Sequence, residues 1–157
     1  MKIFRRSKIY GMASERSYVI DKLQKLSSTL ESHVLKLGIY DDNLNCKDHW
    51  IDEVANFLSI ANDFTVKPKN KKLDKREYEK YLIGGLGDTR KDAFINIRMF
   101  KLSNNKDKEY PDFEITDEMI DRTFNISKLI ADFVLGTVSS KNTLEKRDIY
   151  YYLKERL

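Results

Sequence analysis

The length and composition of this chain are those of one folded domain: its 157 residues are 41% hydrophobic and 34% charged, which excludes a disordered tail. The formal net charge of +4 permits contact with nucleic acid but does not by itself indicate it. A single cysteine, Cys46, excludes an internal disulfide and fits a reducing compartment, and no apolar run approaches the ~20 residues that span a bilayer.

The first part of the chain is expected to be a basic arm followed by a helical region, over 1–13 and 14–110. The arm has no apolar stretch of signal-peptide length, so we expect it to be loose. Apolar residues at helical spacing predict four helices in the region that follows, over 14–26, 28–37, 48–62 and 74–83. The third of these has the widest apolar stripe, so we expect Trp50, Phe57 and Leu58 to be buried.

Turn-forming residues predict loops at 41–45 and, rich in lysine, at 63–72. The glycine-rich segment 84–89 lacks the Gly-Lys-Ser/Thr ending of a P-loop and follows no strand pattern, so it does not predict a nucleotide site. Residues 93–102 fit either a strand, by alternation, or a helix, by the spacing of Phe94, Ile97 and Phe100; the helical surroundings favour a helix. The polar segment 103–111 is expected to be a loop at an internal boundary.

The last segment, 111–157, is predicted to contain two helices joined by a polar turn. Thr116 is placed to cap the first, which runs to about 138 and is expected to be the longest of the chain. Asn142 is placed to cap the second, with Glu145 in its first turn. This layout is that of a helix-turn-helix, or of a truncated winged helix whose wing strands would follow Leu157. The predicted fold class is therefore mainly α.

The second of these helices carries three consecutive tyrosines with different expected environments. Tyr151 shares a charged stripe with Arg147 at i−4, whereas Tyr152 lies with the apolar side chains on the other side. We therefore expect the Tyr151 phenol to be exposed beside a guanidinium, and the hydroxyls of Tyr150 and Tyr152 to point away from Arg147. An exposed phenol can attack a phosphodiester, and an arginine fork can hold two phosphate oxygens.

Arg147-Asp148-Ile149-Tyr150-Tyr151, preceded by Thr143, resembles the segment that carries the catalytic tyrosine in the topoisomerase VI A subunit and its meiotic double-strand-break relative. The resemblance covers residues 143–157 and extends weakly back through the preceding apolar helix. It implies that Tyr151, the second tyrosine of the pair, is the nucleophile, and that Arg147 is the arginine of the motif.

The resemblance also implies a function and a set of partners. The protein would make double-strand breaks in DNA by tyrosine transesterification, in meiotic recombination or as a type IIB topoisomerase. Two subunits would each cut one strand, with magnesium held by a Toprim domain and a B-type subunit docked on the N-terminal helices. That Toprim domain is not in these residues, so no metal ligands are expected here and the chain alone is expected to be inactive. The expected location is nuclear in a eukaryote and cytoplasmic otherwise, without a membrane.

Two other functions fit the same residues. The chain could be a non-catalytic DNA-binding module that contacts phosphates through Lys146, Arg147, Lys154 and Arg156. It could also be a helical interaction domain with no role on nucleic acid. A zinc site is not predicted, because Cys46 and His49 are half of a zinc spacing and no second pair exists.

Overall fold

The computed structural model describes residues 2–40, 46–66, 73–108, 110–140 and 144–157, and within these ranges the chain forms helices and no strand. The predicted mainly α fold is confirmed. The six α-helices of the described ranges, with one 3₁₀ turn at Gly84–Leu86, are α1 (Lys2–Ile39), α2 (Lys47–Val66), α3 (Lys75–Ile83), α4 (Arg90–Asp107), α5 (Asp117–Ser140) and α6 (Lys146–Arg156). None of the helices described is long and apolar enough to cross a membrane.

α1 is a single helix where two helices and a loose arm were predicted. Its buried stripe runs through Leu23, Ser27, Leu30 and Val34, at the i, i+4, i+7 spacing of one continuous helix face. Burial of this stripe outweighs the weak helix propensity of the serines at the expected break. The helix begins at Lys2, so residues 2–13 are helical, and α1 rather than α5 is the longest helix of the described chain.

The next three helices lie where the sequence predicted helical segments, and α2 and α4 are longer than predicted. α2 includes the predicted 48–62 but continues to Val66, and α3 begins where expected, with a capping box between Asp74 and Glu77. The ambiguous segment 93–102 is helical, because it lies inside α4, which Thr89 caps. The loop predicted over 63–72 is wrong for residues 63–66, because α2 continues through them. Residues 67–72 and the predicted loop at 41–45 lie outside the described residues.

α4 is longer than the sequence predicted, because its polar end is held in place by one buried side chain. Asn104 Nδ2 donates to the carbonyl oxygen of Tyr110 at 2.9 Å, and Asn104 Oδ1 accepts from Tyr110 N at 2.8 Å. The helix then ends at Lys108, whose left-handed backbone (φ 52°) stops it. The loop expected over 103–111 therefore starts after Asp107.

The core forms around α1, which contacts α2, α3, α4 and α5. Trp50 and Leu58 of α2 are buried there, as predicted, with 4% and 2% of their surface exposed. Phe57 is only partly buried; its ring stacks on His33 of α1 with centroids 5.6 Å apart. Phe57 is therefore less buried than predicted, because its ring lies at the margin of the α1–α2 contact.

α1 and α5 approach each other closely at Gly38. A β-carbon at this position would lie 2.0 Å from Thr123 Oγ1 and 2.9 Å from the Thr123 α-carbon. At the same crossing, Arg122 Nε donates to the carbonyl oxygen of Gly38 at 2.6 Å and its Nη2 to that of Ile39 at 3.2 Å. An arginine of α5 thus satisfies carbonyl groups that the end of α1 leaves without helical partners.

α5 and α6 are consecutive helices, but α6 packs chiefly against α2. Thr116 caps α5 as predicted, its hydroxyl accepting from Met119 N at 3.2 Å. α6 begins one turn later than expected, with Glu145 at its N-cap; the predicted cap Asn142 and motif residue Thr143 lie outside the described residues. The winged-helix-like arrangement stays a prediction.

Candidate functional site

α6 is oriented by two side chains that are fully buried against the body of the fold, Ile149 and Leu153. Their i, i+4 spacing directs one side of the helix inward. Tyr152 also turns inward, as predicted: it is partly buried and its ring lies 5.3 Å from that of Phe133 on α5. The opposite side of α6 faces solvent, and Tyr151 on it is 56% exposed, which confirms its predicted exposure.

An open cleft of about 420 Å³ lies between α2 and α6, and it contains both predicted catalytic residues. Its lining residues are Asp52, Lys146, Arg147, Tyr150 and Tyr151. The rings of Tyr150 and Tyr151 meet edge to face, with centroids 5.5 Å apart and planes at 77°. The Tyr150 ring thus lines the same cleft as Arg147, while its hydroxyl contacts Lys154, which lies two helical turns beyond Arg147 on α6. The expectation that this hydroxyl points away from Arg147 stays a prediction.

The predicted DNA-binding cations differ in what they already contact. Lys146 Nζ lies 3.2 Å from Asp52 Oδ2, and Lys154 Nζ lies 3.8 Å from Asp48 Oδ2, so both lysines bridge α6 to α2. Such exposed pairs contribute only ~0–1 kcal/mol each, so a ligand could displace them.

The two arginines of the same set also differ. Arg156 lies over the Tyr152 ring, 3.7 Å from its centroid, and its Nη1 donates to the Tyr152 carbonyl at 3.0 Å. Arg147 is exposed and has no hydrogen-bond or ion-pair partner within the described part of the chain. Of this set, Arg147 therefore has the guanidinium most available to an incoming anion.

Lys154 also shapes the position of the tyrosine pair. Its Nζ donates to the Tyr150 hydroxyl at 3.4 Å, and the ammonium lies 5.5 Å from the centroid of the same ring. This hydrogen bond, together with the nearby Asp48 carboxylate, raises the pKa of Lys154 above its usual value. The ammonium thus contacts the hydroxyl of the ring that meets Tyr151 edge to face.

Asp48 and Asp52 are the site residues that sequence reasoning did not identify. They are one helical turn apart on α2, and their partners Lys154 and Lys146 follow about a hundred positions later in the chain. Helical periodicity places the two carboxylates on one polar edge, but it cannot say which helix lies beside that edge.

The glycine-rich turn has a packing role and is poorly suited to phosphate. Gly84 and Gly87 have positive φ values of 53° and 76°, which favour glycine. A β-carbon at Gly84 would lie 2.1 Å from Ser27 Oγ, and one at Gly85 would lie 2.9 Å from Glu31 Oε2. Burial raises the pKa of this Glu31 carboxyl. A carboxyl group at this position offers no positive charge to an anion.

The magnesium that the family resemblance implies finds no ligand set here. Among the residues described, no group of three or more His, Cys, Asp or Glu side chains lies close enough to hold a metal ion. His33 stacks on Phe57, and its Nε2 lies 4.0 Å from Glu53 Oε2. The described residues therefore offer no site for the magnesium that the resemblance implies.

No family model, curated protein or solved structure matches this chain. The resemblance of residues 143–157 to the topoisomerase VI A segment is therefore a hypothesis that rests on those residues. What the fold adds is the geometry of the cleft, in which Arg147 and Tyr151 lie together.

Proposed function

We propose that this chain is the nucleophile-bearing, N-terminal part of a topoisomerase-VI-A-like protein that breaks double-stranded DNA by tyrosine transesterification. The observation that carries the proposal is the presence, in one open cleft, of an exposed phenol and an arginine without a partner in the described ranges, Tyr151 and Arg147. An attacking phenol must reach the phosphorus from solvent, and the phosphate needs a cation that holds it.

In the proposed reaction, the Tyr151 oxygen attacks a backbone phosphorus and forms a phosphotyrosyl bond to the 5′ end of the broken strand. The bond from phosphorus to the 3′ oxygen breaks, the phenolic proton is lost to solvent, and the leaving oxygen takes up a proton. One phosphodiester replaces another, so cleavage itself consumes no ATP. Arg147 holds two non-bridging oxygens through its planar fork and offsets the charge that grows on them.

The remaining cleft residues have supporting roles in this proposal. The ring of Tyr150, held by Lys154, restricts the positions that the Tyr151 ring can take. Lys146 exchanges its contact with Asp52 for a contact with a DNA phosphate. A second subunit would cut the other strand, and the magnesium and the B-type subunit that the family resemblance implies would act through parts outside the cleft.

A second function is favoured by the acidic residues of α2. Asp48 and Asp52 already neutralise two of the four cations that would contact DNA, and Asp52 lines the cleft itself. A carboxylate at a phosphate site weakens binding through like-charge repulsion. This arrangement suits a helical interaction domain in which the two ion pairs serve to fasten α6 to α2.

DNA binding by the 157-residue chain distinguishes the two functions. We expect a duplex oligonucleotide to bind without sequence preference, with a Kd of ~10⁻⁴–10⁻⁶ M at physiological salt. Arg147→Ala should weaken this binding, whereas Arg98→Ala, which removes an exposed arginine of α4, should not. Fluorescence anisotropy at several salt concentrations gives the measurement.

The chemical step is then tested at the arginine. In a protein that contains this segment together with its metal site and partner subunit, Arg147→Lys should strongly impair covalent attachment to DNA, because an ammonium cannot offer a two-pronged grip.

A chain that does not bind DNA even at low salt would exclude both the DNA-cleaving function and a non-catalytic DNA-binding module. An Arg147→Ala effect no larger than that of Arg98→Ala would show that DNA does not use this cleft.

A further inference from the structure

The solvent side of α4 carries a stripe of large apolar side chains that nothing in the described chain covers. Ile95, Met99 and Leu102 have 44%, 61% and 57% of their surface exposed, and Phe94 beside them has 38%. The opposite side of the same helix is already occupied, because Ala93 and Ile97 are buried in the domain. α4 therefore has two apolar faces, of which one faces solvent.

The exposed stripe has the spacing of a helix–helix seam. The intervals from Ile95 to Met99 and from Met99 to Leu102 are four and three residues, which is the alternation of d, a and d positions in a heptad repeat. In this register, Lys91 and Arg98 fall on successive g positions. These are the positions whose charges pair with the neighbouring helix of a coiled coil.

The two g-position cations have no partner in the part of the chain that the structure describes. Both Lys91 and Arg98 are exposed, whereas Arg90 and Lys101 on other sides of α4 pair with Asp121 and Asp112. The apolar seam is thus flanked along one edge by unneutralised positive charge. A complementary surface would offer apolar side chains to the seam and carboxylates to this edge.

We propose that this face of α4 docks an amphipathic helix of another protein, with apolar residues at its a and d positions and acidic residues opposite Lys91 and Arg98. The helix would lie along α4 over the three exposed seam residues, as in helix-in-groove and coiled-coil recognition. The proposal is independent of the α6 cleft and of the function assigned to it.

A second copy of this chain is a poorer occupant of the face. In an antiparallel pair of α4 helices, g positions face g positions, so Lys91 and Arg98 would face like charges. In a parallel pair, they would face Asn96 and Ser103, which carry no charge, and Asn96 Nδ2 already donates to the carbonyl oxygens of Gly85 and Leu86 at 2.5 and 3.1 Å. Neither arrangement provides carboxylates.

An anionic membrane also fits less well than a helix. A helix that lies in the membrane interface carries cations around its polar face, with aromatic and leucine side chains directed into the lipid. Here the unpaired g-position cations follow one edge only, at heptad intervals, and the other edge carries Asn96 and Ser103. One-sided charge at this interval is a feature of helix pairing.

The test uses synthetic helical heptad peptides with Leu, Ile or Val at a and d, and with either Glu or Lys at e and g. Fluorescence anisotropy is measured with the full 157-residue chain at physiological salt. We expect the Glu peptides to bind at least about tenfold more tightly than the Lys peptides, because close like charges oppose docking. Met99→Glu should abolish binding, and combined Lys91→Glu and Arg98→Glu should invert the charge preference.

The matched control is Tyr18→Ala, which removes an exposed aromatic side chain of α1 (62% exposed) and should leave peptide binding unchanged. Circular dichroism of each variant checks that the fold is kept. Failure of every peptide to bind, or equal binding of the Glu and Lys peptides, would overturn the proposal. If the peptides do not bind but the chain dimerises with rising concentration, and Met99→Glu removes the dimer, the face belongs to a second copy. If the peptides do not bind but phosphatidylserine vesicles do, and Met99→Glu removes that binding, the face belongs to a membrane.

Discussion

Replacing Gly38 by alanine tests the closest approach between two helices in this fold. Alanine in place of a helical glycine usually raises the free energy of unfolding, since glycine inside a helix is less favourable than alanine by ~0.5–1 kcal/mol. At Gly38 the added β-carbon would also meet Thr123, at 2.0 Å from its hydroxyl oxygen, 2.8 Å from its β-carbon and 2.9 Å from its α-carbon. The two effects have opposite signs, so their sizes decide the outcome.

The steric effect is expected to be the larger. Overpacking a core position costs ~1–3 kcal/mol, and the upper end applies where the contacting atom belongs to the backbone and cannot rotate away. Subtracting the gain in helix propensity leaves a net loss of ~1–2 kcal/mol in the free energy of unfolding. For a domain of this size, such a loss lowers Tm by ~2–8 °C.

Urea unfolding provides the measurement, followed by circular dichroism and by the fluorescence of Trp50, which is the only tryptophan and is buried. Gly136→Ala is the matched control, because no atom lies within 4 Å of a β-carbon added at this position of α5. It should stabilise the chain by ~0.5–1 kcal/mol. If Gly38→Ala is as stable as Gly136→Ala, then α1 and α5 do not approach each other this closely at Gly38.

A double substitution identifies the atoms responsible. Thr123 Oγ1 is buried and has no hydrogen-bond partner in the described chain, so Thr123→Ala removes the shortest of the three approaches without breaking a hydrogen bond. The β-carbon and the backbone at position 123 stay where they are and still crowd the new methyl group. The combined variant should therefore recover part of the stability lost in Gly38→Ala, and full recovery would show that the hydroxyl alone is responsible.

Three further predictions concern the seating of α6, the nucleophile and the response to pH. Leu153→Ala should lower the free energy of unfolding by ~2–5 kcal/mol in urea titrations, because the side chain is fully buried where α6 meets the core. A loss below ~1 kcal/mol would mean that α6 does not pack against the core through Leu153. Tyr151→Phe should leave stability unchanged yet abolish covalent DNA adducts in a complete protein, whereas Tyr150→Phe and Tyr152→Phe should retain them; loss in Tyr150→Phe alone would move the nucleophile by one residue. Burial, with a smaller contribution from Lys36, lowers the pKa of His33 below its usual 6.5. As the pH falls below about 6.5, the unfolded chain therefore takes up the proton more readily than the folded chain, and the free energy of unfolding decreases. His33→Gln should flatten this fall in unfolding experiments between neutral and acidic pH, and an unchanged slope would assign the effect to other groups.

Local rules predicted much of the helical framework from sequence alone. Thr116 caps α5 as predicted, and α3 begins within one residue of its predicted start, with Asp74 as its cap. Such starts are predictable because a cap depends on a side chain and on backbone N–H groups two or three residues away. The exposed side of α6 was predictable for the same reason, since Arg147 and Tyr151 are one helical turn apart.

The composition of the cleft required the tertiary structure. Asp52 and Lys146 meet only because α6 lies on α2, and the spacing of α6 residues carries no information about its neighbour. The position of Lys154 also depends on this packing, because its ammonium lies between the Tyr150 hydroxyl on α6 and the Asp48 carboxylate on α2.

Sequence by itself determined that this chain is helical, where most of its helices lie and which side of the last helix presents Tyr151. The tertiary structure decided that α1 is continuous, that Phe57 stays at the edge of the core, and that the stripe of Ile95, Met99 and Leu102 faces solvent. Periodicity finds apolar faces because side chains at i, i+3 and i+4 share a direction. Which of those faces becomes buried depends on contacts between segments far apart in the chain, where the free energy of burial can hold a helix through weak helix formers such as Ser27.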